Sequence, residues 1–272
     1  MRGLVDRPDP VVVWRELGAR QEALIERLAG KREIHLVGPD TDITFSVAGR
    51  TWISDDGHKN MPGGEIFTGP VEDSANGTIR HTYPAVYGGK EVADVRLRFE
   101  GGRVVEASAG RNDELLQSLL GMDDGARRLG EFAFGTNPGV TRFTRNVLFD
   151  EKIVGTVHLA LGAGYPSTGS DNGSALHRDM GSDLRQSGEI WVDGELFARA
   201  GQFLHRGHES VLDPQSRARQ RLSHRRVRRA AVGRAPEPRD RTTYLRSASS
   251  NSSPGHPRPI ISPCGSGIPM AA

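Results

Sequence analysis

The chain has 272 residues, 36% of them hydrophobic, and a formal net charge of +2, which is enough apolar material for one large or two small domains with buried cores. Its single cysteine, Cys264, excludes an internal disulfide framework and a cysteine-built zinc site, and points to a reducing, cytoplasmic setting. No run approaches the roughly 20 apolar residues of a membrane span, and the short apolar run after Pro10 is not a signal-peptide core.

In chain order, PVVVWRELGARQEALIERLAGK predicts an amphipathic helix with Val13, Leu17, Leu24 and Leu28 near one face, ending at Gly30. EIHLVG predicts a short strand in which His35 is a hydrogen-bonded structural histidine. ITFSVAGRTWIS alternates like a hairpin turning at Ala48 and Gly49, and Asp40, Asp42, Asp55 and Asp56 are read as turn residues. In DDGHKNMPGGEIFTGP, Glu65 follows a tight Pro62-Gly63-Gly64 turn. From the residues alone it reads as a solvated loop carboxylate, the alternative being one that reaches into a site.

From Asn76 to Ala109 three glycine-punctuated segments alternate apolar and charged residues, as in an antiparallel sheet with one wet face. Two helices are expected next, from Asn112 to Leu120 and from Asp123 to Gly130, the second capped by Asp123 or Asp124. Arg142, Arg145, Asp150, Glu151 and Lys152 then form either a grip for a charged substrate terminus or a surface ion-pair network. GEIWVDGELFARAGQF predicts a hairpin turning at Asp193 and Gly194.

The charge is unevenly placed: from His205 onward there are 13 arginines, no lysine and 4 acidic residues, a net of +9 that leaves −7 for the residues before it. This Arg-, Ser- and Pro-rich segment lacks the apolar periodicity needed to offset ordering entropy, so disorder is expected over 205–272. A basic run can neutralise phosphates, but no interleaved aromatics or recognisable module support a specific nucleic-acid binder. The abrupt change in composition also fits an altered reading frame.

Between these blocks lies a concentration of metal-ligand types on strand-like pieces: Glu131 in LGEFAFGTN, His158 in GTVHLALG, Tyr165 in GAGYP, and His177 and Asp179 in SALHRDM. Alternation puts Thr156, His158 and Ala160 on one face of their strand and Val157, Leu159 and Leu161 on the other. His177 and Asp179 likewise share a face, as do Glu131 and Ala133 opposite Phe132 and Phe134. Three segments thus set a potential ligand opposite an apolar face. Each alone is weak, since a lone strand histidine is more often structural. The glycines of GAGYPSTGSDNGS fail the phosphate-loop test, because no Lys-Ser or Lys-Thr closes the motif.

The phrases GPDTD, NMPGGEIFTGP, DDGARRLGEFAFGTN, RNVLFDEKIVGTVHLALGAGYP, SALHRDM and VDGELF together resemble the thermophilic-type metallo-aminopeptidases called aminopeptidase T and aminopeptidase S, over about 9–203. The resemblance implies metal ligation by Glu65, Glu131, His158, His177 and Asp179, with Tyr165 as a site tyrosine and Glu131 and Tyr165 in catalytic positions. It implies two divalent metal ions (zinc, cobalt or manganese), a peptide substrate that loses its N-terminal residue, and a homodimer around an internal chamber. It further implies that 1–30 is the remnant of a missing front α/β domain, that 31–204 is the catalytic domain and that 205–272 is a foreign tail. The chain departs from the pattern at Arg178, where the family often has an aromatic residue, a departure that bears on substrate preference.

The expectation is therefore an α+β protein with a mixed, largely antiparallel sheet, a few helices and a disordered C-terminal tail. It works as a metal-dependent aminopeptidase without membrane or specific nucleic-acid partner. The competing readings are a truncated, non-catalytic metal-binding remnant and an arginine-tail nucleic-acid binder.

Overall fold

The structure, a computed structural model, describes residues 9–204, and the expectations for the basic segment fall outside them. The first helix, α1 (Pro10–Leu28), starts where Asp9 accepts a hydrogen bond from the Val12 N–H at 3.2 Å, with Pro10 in the first turn where its missing N–H costs nothing. It buries Leu17, Gln21 and Leu28. Gly30, at φ +73°, ends it in the left-handed region open to glycine.

The strands that follow build two sheets, and all pairings between named strands are antiparallel. The first contains β1 (Glu33–Gly38), β2 (Thr41–Ser46), β5 (Asn76–His81), β6 (Ala85–Tyr87), β7 (Lys90–Glu100), β8 (Arg103–Arg111), β12 (Glu189–Val192), β13 (Glu195–Arg199) and β14 (Gln202–Phe203). Its order is β14-β13-β12-β1-β2-β5-β7-β6, with β8 also on β7. The second contains β3 (Ile53–Asp55), β4 (Glu65–Thr68), β9 (Leu129–Gly135), β10 (Thr156–Gly162) and β11 (His177–Asp183), in the order β11-β10-β9-β4-β3. Two short helices, α2 (Asp113–Leu120) and α3 (Val147–Asp150), lie in the connections. The architecture is the α+β class with largely antiparallel pairing that the glycine-punctuated alternation predicts.

One buried cluster joins the two sheets. Phe45 of β2 meets Phe132 of β9 edge-on with ring centroids 5.0 Å apart, and Trp52 stacks on Phe134 at 5.7 Å. Burying each such side chain contributes about 1.5–3 kcal/mol, and together they fix which face of the second sheet is left for chemistry.

Two local expectations are corrected. ITFSVAGRTWIS is not a hairpin, because β2 pairs with β1 and β5 while β3 pairs with β4 in the other sheet. The Ala48-Gly49 turn carries the chain between layers, so alternation on both sides of a turn reports two apolar faces meeting one core rather than each other. The second expected helix is a single 3₁₀ turn, Gly125–Arg127. Asp123 does accept from the Ala126 N–H at 2.8 Å, but it also holds the Ala175 N–H, and β9 begins at Leu129. The predicted hairpin at Asp193 and Gly194 forms, with φ of +49° and +78° at the two central residues, as a type I′ turn requires. His35 is the satisfied strand histidine expected, 2.7 Å from Asp42. Among the described residues no helix is long and apolar enough to cross a membrane.

Candidate metal centre

The face of the second sheet turned away from Phe132 and Phe134 is paved with small residues between functional ones. His158 has Ala133 and Gly181 as its cross-strand neighbours, and Ala160 separates Glu131 from Asp179 along one rung. His177 faces Gly162. With no large side chain beside them, two imidazoles and two carboxylates from three adjacent strands lean toward one another. Glu65 joins from β4 directly opposite Asp55 on β3. Its entry depends on Gly64, whose φ is +127° and where a Cβ would sit 2.3 Å from that of Asn137.

Glu131 is central. Its Oε1 lies 3.2 Å from Nε2 of His158, and its Oε2 lies 3.6 Å from Nε2 of His177. His158 Nε2 is also 3.3 Å from Oε2 of Glu65, and His177 Nε2 is 3.5 Å from Oδ1 of Asp179. The Nδ1–H of His177 donates to the Ala163 carbonyl at 2.7 Å, which makes Nε2 the nitrogen that faces the carboxylates. Two sets of three donors, Glu65/Glu151/His158 and Glu131/His177/Asp179, each gather their ligand atoms within 4.8 Å.

Behind Glu65 sits Lys152, fully buried. Its ammonium pairs with Glu65, with Oε1 of Glu151 at 2.7 Å and with Oδ2 of Asp55 at 3.0 Å. Helix α1 braces the same strands: Nε2 of Gln21 donates to the carbonyls of Asp55 (3.1 Å) and Glu65 (3.0 Å) and to the Thr136 hydroxyl (2.9 Å), while its Oε1 accepts from Ser54. Tyr165 stands at the rim, its ring 5.5 Å from that of Phe67 and 5.3 Å from that of His177. Asp55, Glu65, Glu131, Glu151, Tyr165, His177 and Asp179 are among the residues lining a cavity of about 210 Å³.

The electrostatics follow from an excess of carboxylate in a buried place. Burial alone would lower the pKa of His158, but Glu131 and Glu65 overcome it and hold it at about 10. The same opposition, won by Asp179, puts His177 at about 9. Burial lifts Glu65 to about 8 against the pull of His158 and Lys152. For Asp179 the upward push of burial is outweighed by His177, His158 and Arg178, leaving it at about 2. Lys152 resists desolvation because Glu65 and Glu151 hold it well above an ordinary lysine. Burial and the carboxylates push Tyr165 up to about 12, so its phenol keeps its proton.

The donors fit divalent cations. Imidazole and carboxylate are the ligand types such ions take, and the buried Oε2 of Glu65 has no hydrogen-bond partner, a condition that costs about 1–3 kcal/mol for a buried polar atom.

All five side chains expected as ligands, Glu65, Glu131, His158, His177 and Asp179, come together, with Tyr165 at the edge. Asp55 is corrected: it is a buried strand residue paired with Lys152, not a turn residue. Of the charged group at 142–152, Lys152 and Glu151 belong to the cluster, whereas Arg142 and Arg145 are exposed. Gln21 was not anticipated. A polar residue four positions from Leu17 on the buried stripe of α1 was the available signal.

Residues 2–188 match the thermophilic metalloprotease (M29) family. Aminopeptidase 2 of Geobacillus stearothermophilus is 36% identical over 190 residues, covering 64% of this chain and 45% of that protein. Aminopeptidase T of Thermus aquaticus is 34% identical over 218 residues, covering 71% and 52%. The solved structure of wild-type AmpT from Thermus thermophilus aligns with a TM-score of 0.64 at 25% identity, covering 72% of this chain and 56% of that one. The chain spans about half the length of the curated relatives it matches, and it belongs to the thermophilic metalloprotease (M29) family.

Proposed function

We propose that residues 31–204 act as a metal-dependent aminopeptidase unit that removes N-terminal residues from peptides, with two divalent ions held by Glu65, Glu131, His158, His177 and Asp179. The observation that carries this reading is the placement of Glu131, which turns one oxygen to each of two histidines. Charge supports it as well. The ion-paired cluster contains the carboxylates of Asp55, Glu65, Glu131, Glu151 and Asp179 but one ammonium, that of Lys152, with the exposed Lys59 on the cavity wall outside it. With neutral imidazoles, the charge of two divalent ions brings the sum to zero, and buried charge is stable only when compensated.

Divalent ions bound there would supply a hydroxide nucleophile at neutral pH and polarise the scissile carbonyl. The protein's own groups supply the rest. Tyr165, protonated and wedged between Phe67 and His177, can donate a hydrogen bond to an oxyanion. Glu131 is the carboxylate proposed to stand nearest the reacting atoms. The cavity's acidic walls favour a free peptide α-ammonium, and its volume suits one residue rather than a folded substrate.

The test is turnover of a leucyl chromogenic substrate by the full chain loaded in turn with zinc, cobalt or manganese, with the N-acetylated substrate as control. Metal-dependent cleavage of the free amine alone is expected. Bound metal without turnover under any of the three would favour a non-catalytic metal binder. The homodimer belongs to the same proposal, and light scattering of the loaded chain tests it.

A further inference from the structure

A second cavity, of about 300 Å³, adjoins the metal centre through Asp179, which lines both. Its walls are apolar at Pro84, Val86, Phe143 and Val147. Next to Asp179 in sequence, Arg178 also lines it and brings a positive charge. Nη1 of Arg178 donates to the Val86 carbonyl at 2.6 Å, and its guanidinium carbon lies 5.9 Å from the Tyr87 ring centroid. The group is thus held at one end by a backbone acceptor and lies at the outer edge of cation–π range of an aromatic ring.

What it lacks is a direct ion pair. Among the described residues no carboxylate lies within 4.0 Å of its guanidinium, and its buried Nε has no hydrogen-bond partner. The other charges on the cavity wall are committed: Arg145 to Glu91, and Asp150 to the backbone N–H and hydroxyl of Thr144 at 2.6 and 2.8 Å. Asp179 belongs to the metal centre. With Nε buried, the two terminal nitrogens of the guanidinium are the ones that can meet a planar carboxylate, end-on through two parallel N–H bonds.

We propose that this cavity is a substrate subsite in which Arg178 anchors a carboxylate of the peptide. The inference rests on the aminopeptidase reading for its reaction, and deepens it by naming the substrate class: short peptides with a free C-terminus, or peptides with an acidic side chain near the cleaved bond. A charge-assisted hydrogen bond to such a group contributes about 1.5–3 kcal/mol, equivalent to about tenfold to a hundredfold in kcat/KM.

The experiment compares paired substrates on the metal-loaded full chain. One arm sets Ala-Ala against Ala-Ala-amide, and the other sets a glutamyl against a glutaminyl p-nitroanilide. At least one ratio should favour the carboxylate by about tenfold, should fall to near one in Arg178→Met and should recover in part in Arg178→Lys; the arm that responds identifies the source. Equal ratios in the parent chain, or ratios unmoved by Arg178→Met, would overturn the subsite. If no substrate is cleaved, the aminopeptidase reading fails on its own. Calorimetric binding of N-acetylated tri-alanine acid against its amide, and of acetyl-glutamate amide against acetyl-glutamine amide, then gives the same two ratios without turnover. A shared circular dichroism spectrum of the variants and parent identifies any loss due to misfolding, and Arg178→Lys carries the comparison if Arg178→Met does not fold.

Discussion

Nε2 of His158 lies 3.3 Å from Oε2 of Glu65, yet that oxygen makes no hydrogen bond. Nε2 of His158 is also 3.2 Å from Oε1 of Glu131; donors so placed can share one cation, and removing His158 or Glu131 should cost binding rather than folding. His158→Gln and Glu131→Gln are expected to lose bound metal after dialysis while keeping the circular dichroism of the parent, because Val157, Leu159, Phe132 and Phe134 on the opposite face are untouched. Full metal content in either variant would remove that residue from the ligand set.

Metal binding should release protons. His158 and His177, at about 10 and about 9, carry protons in the metal-free chain at neutral pH, and an imidazole must be neutral to ligate. Apparent affinity should therefore rise from pH 7 toward pH 9. Calorimetric titrations at pH 7.5 in buffers of different ionisation enthalpy should give heats that vary with the buffer, and identical heats would contradict the shifts.

The same groups set the alkaline limit of the metal-free chain. Folded-state values raised for His158, His177 and Glu65 mean that their contribution to stability is full below the unfolded values and disappears as pH rises through about 8 to about 10. The chelated protein should show a falling Tm across that window, and the loaded protein a flatter one. On the acid side His81, depressed by burial to about 3, contributes above its unfolded value and loses that contribution as pH falls toward 3.

Lys152→Met should strand Asp55, Glu65 and Glu151 without their ammonium. Breaking a buried ion pair from one side costs about 3–5 kcal/mol, which urea denaturation of the chelated protein would reveal. Added metal should return part of the loss, since the carboxylates then have another counter-charge. Parental stability in this variant would mean that the ion cluster is not what holds these strands.

Gln21→Leu keeps the size of the side chain and deletes its bonds to the carbonyls of Asp55 and Glu65. A loss of about 1–3 kcal/mol is expected, together with metal binding weakened several-fold because Glu65 is less firmly placed. Unaltered affinity at reduced stability would restrict Gln21 to a packing role.

What could be read from the sequence was local. The face of β10 that carries His158, and the pairing of His177 with Asp179, follow from two-residue alternation, which long-range contacts do not alter. The burial of Lys152 could not be read this way, since its partner Glu65 is 87 residues distant and nothing adjacent to either encodes the meeting. Asp55 looked like a turn residue because Asp56, Gly57 and His58 follow it, and only the pairing of β3 with β4 draws it inward. The Ala48-Gly49 turn misled for a related reason, since alternation shows that a strand has a dry face but not which sheet shares it. Residues 123–130 could have continued as a helix, but Asp123 is claimed by the distant Ala175 N–H, and the chain is needed as β9.

Helix α1 touches the ligand strands through an amide that binds the main chain of Glu65 itself. Under the proposed ligation by Glu65, helix docking and metal occupancy would be two events acting on one strand pair, and thermodynamic linkage would make their influence mutual. With metal held by Glu65 as proposed, whatever holds the helix in place would tighten the grip on metal, and metal would in turn hold the helix. A molecule that pulled on α1 from the surface would be read inside the protein as a change in metal affinity.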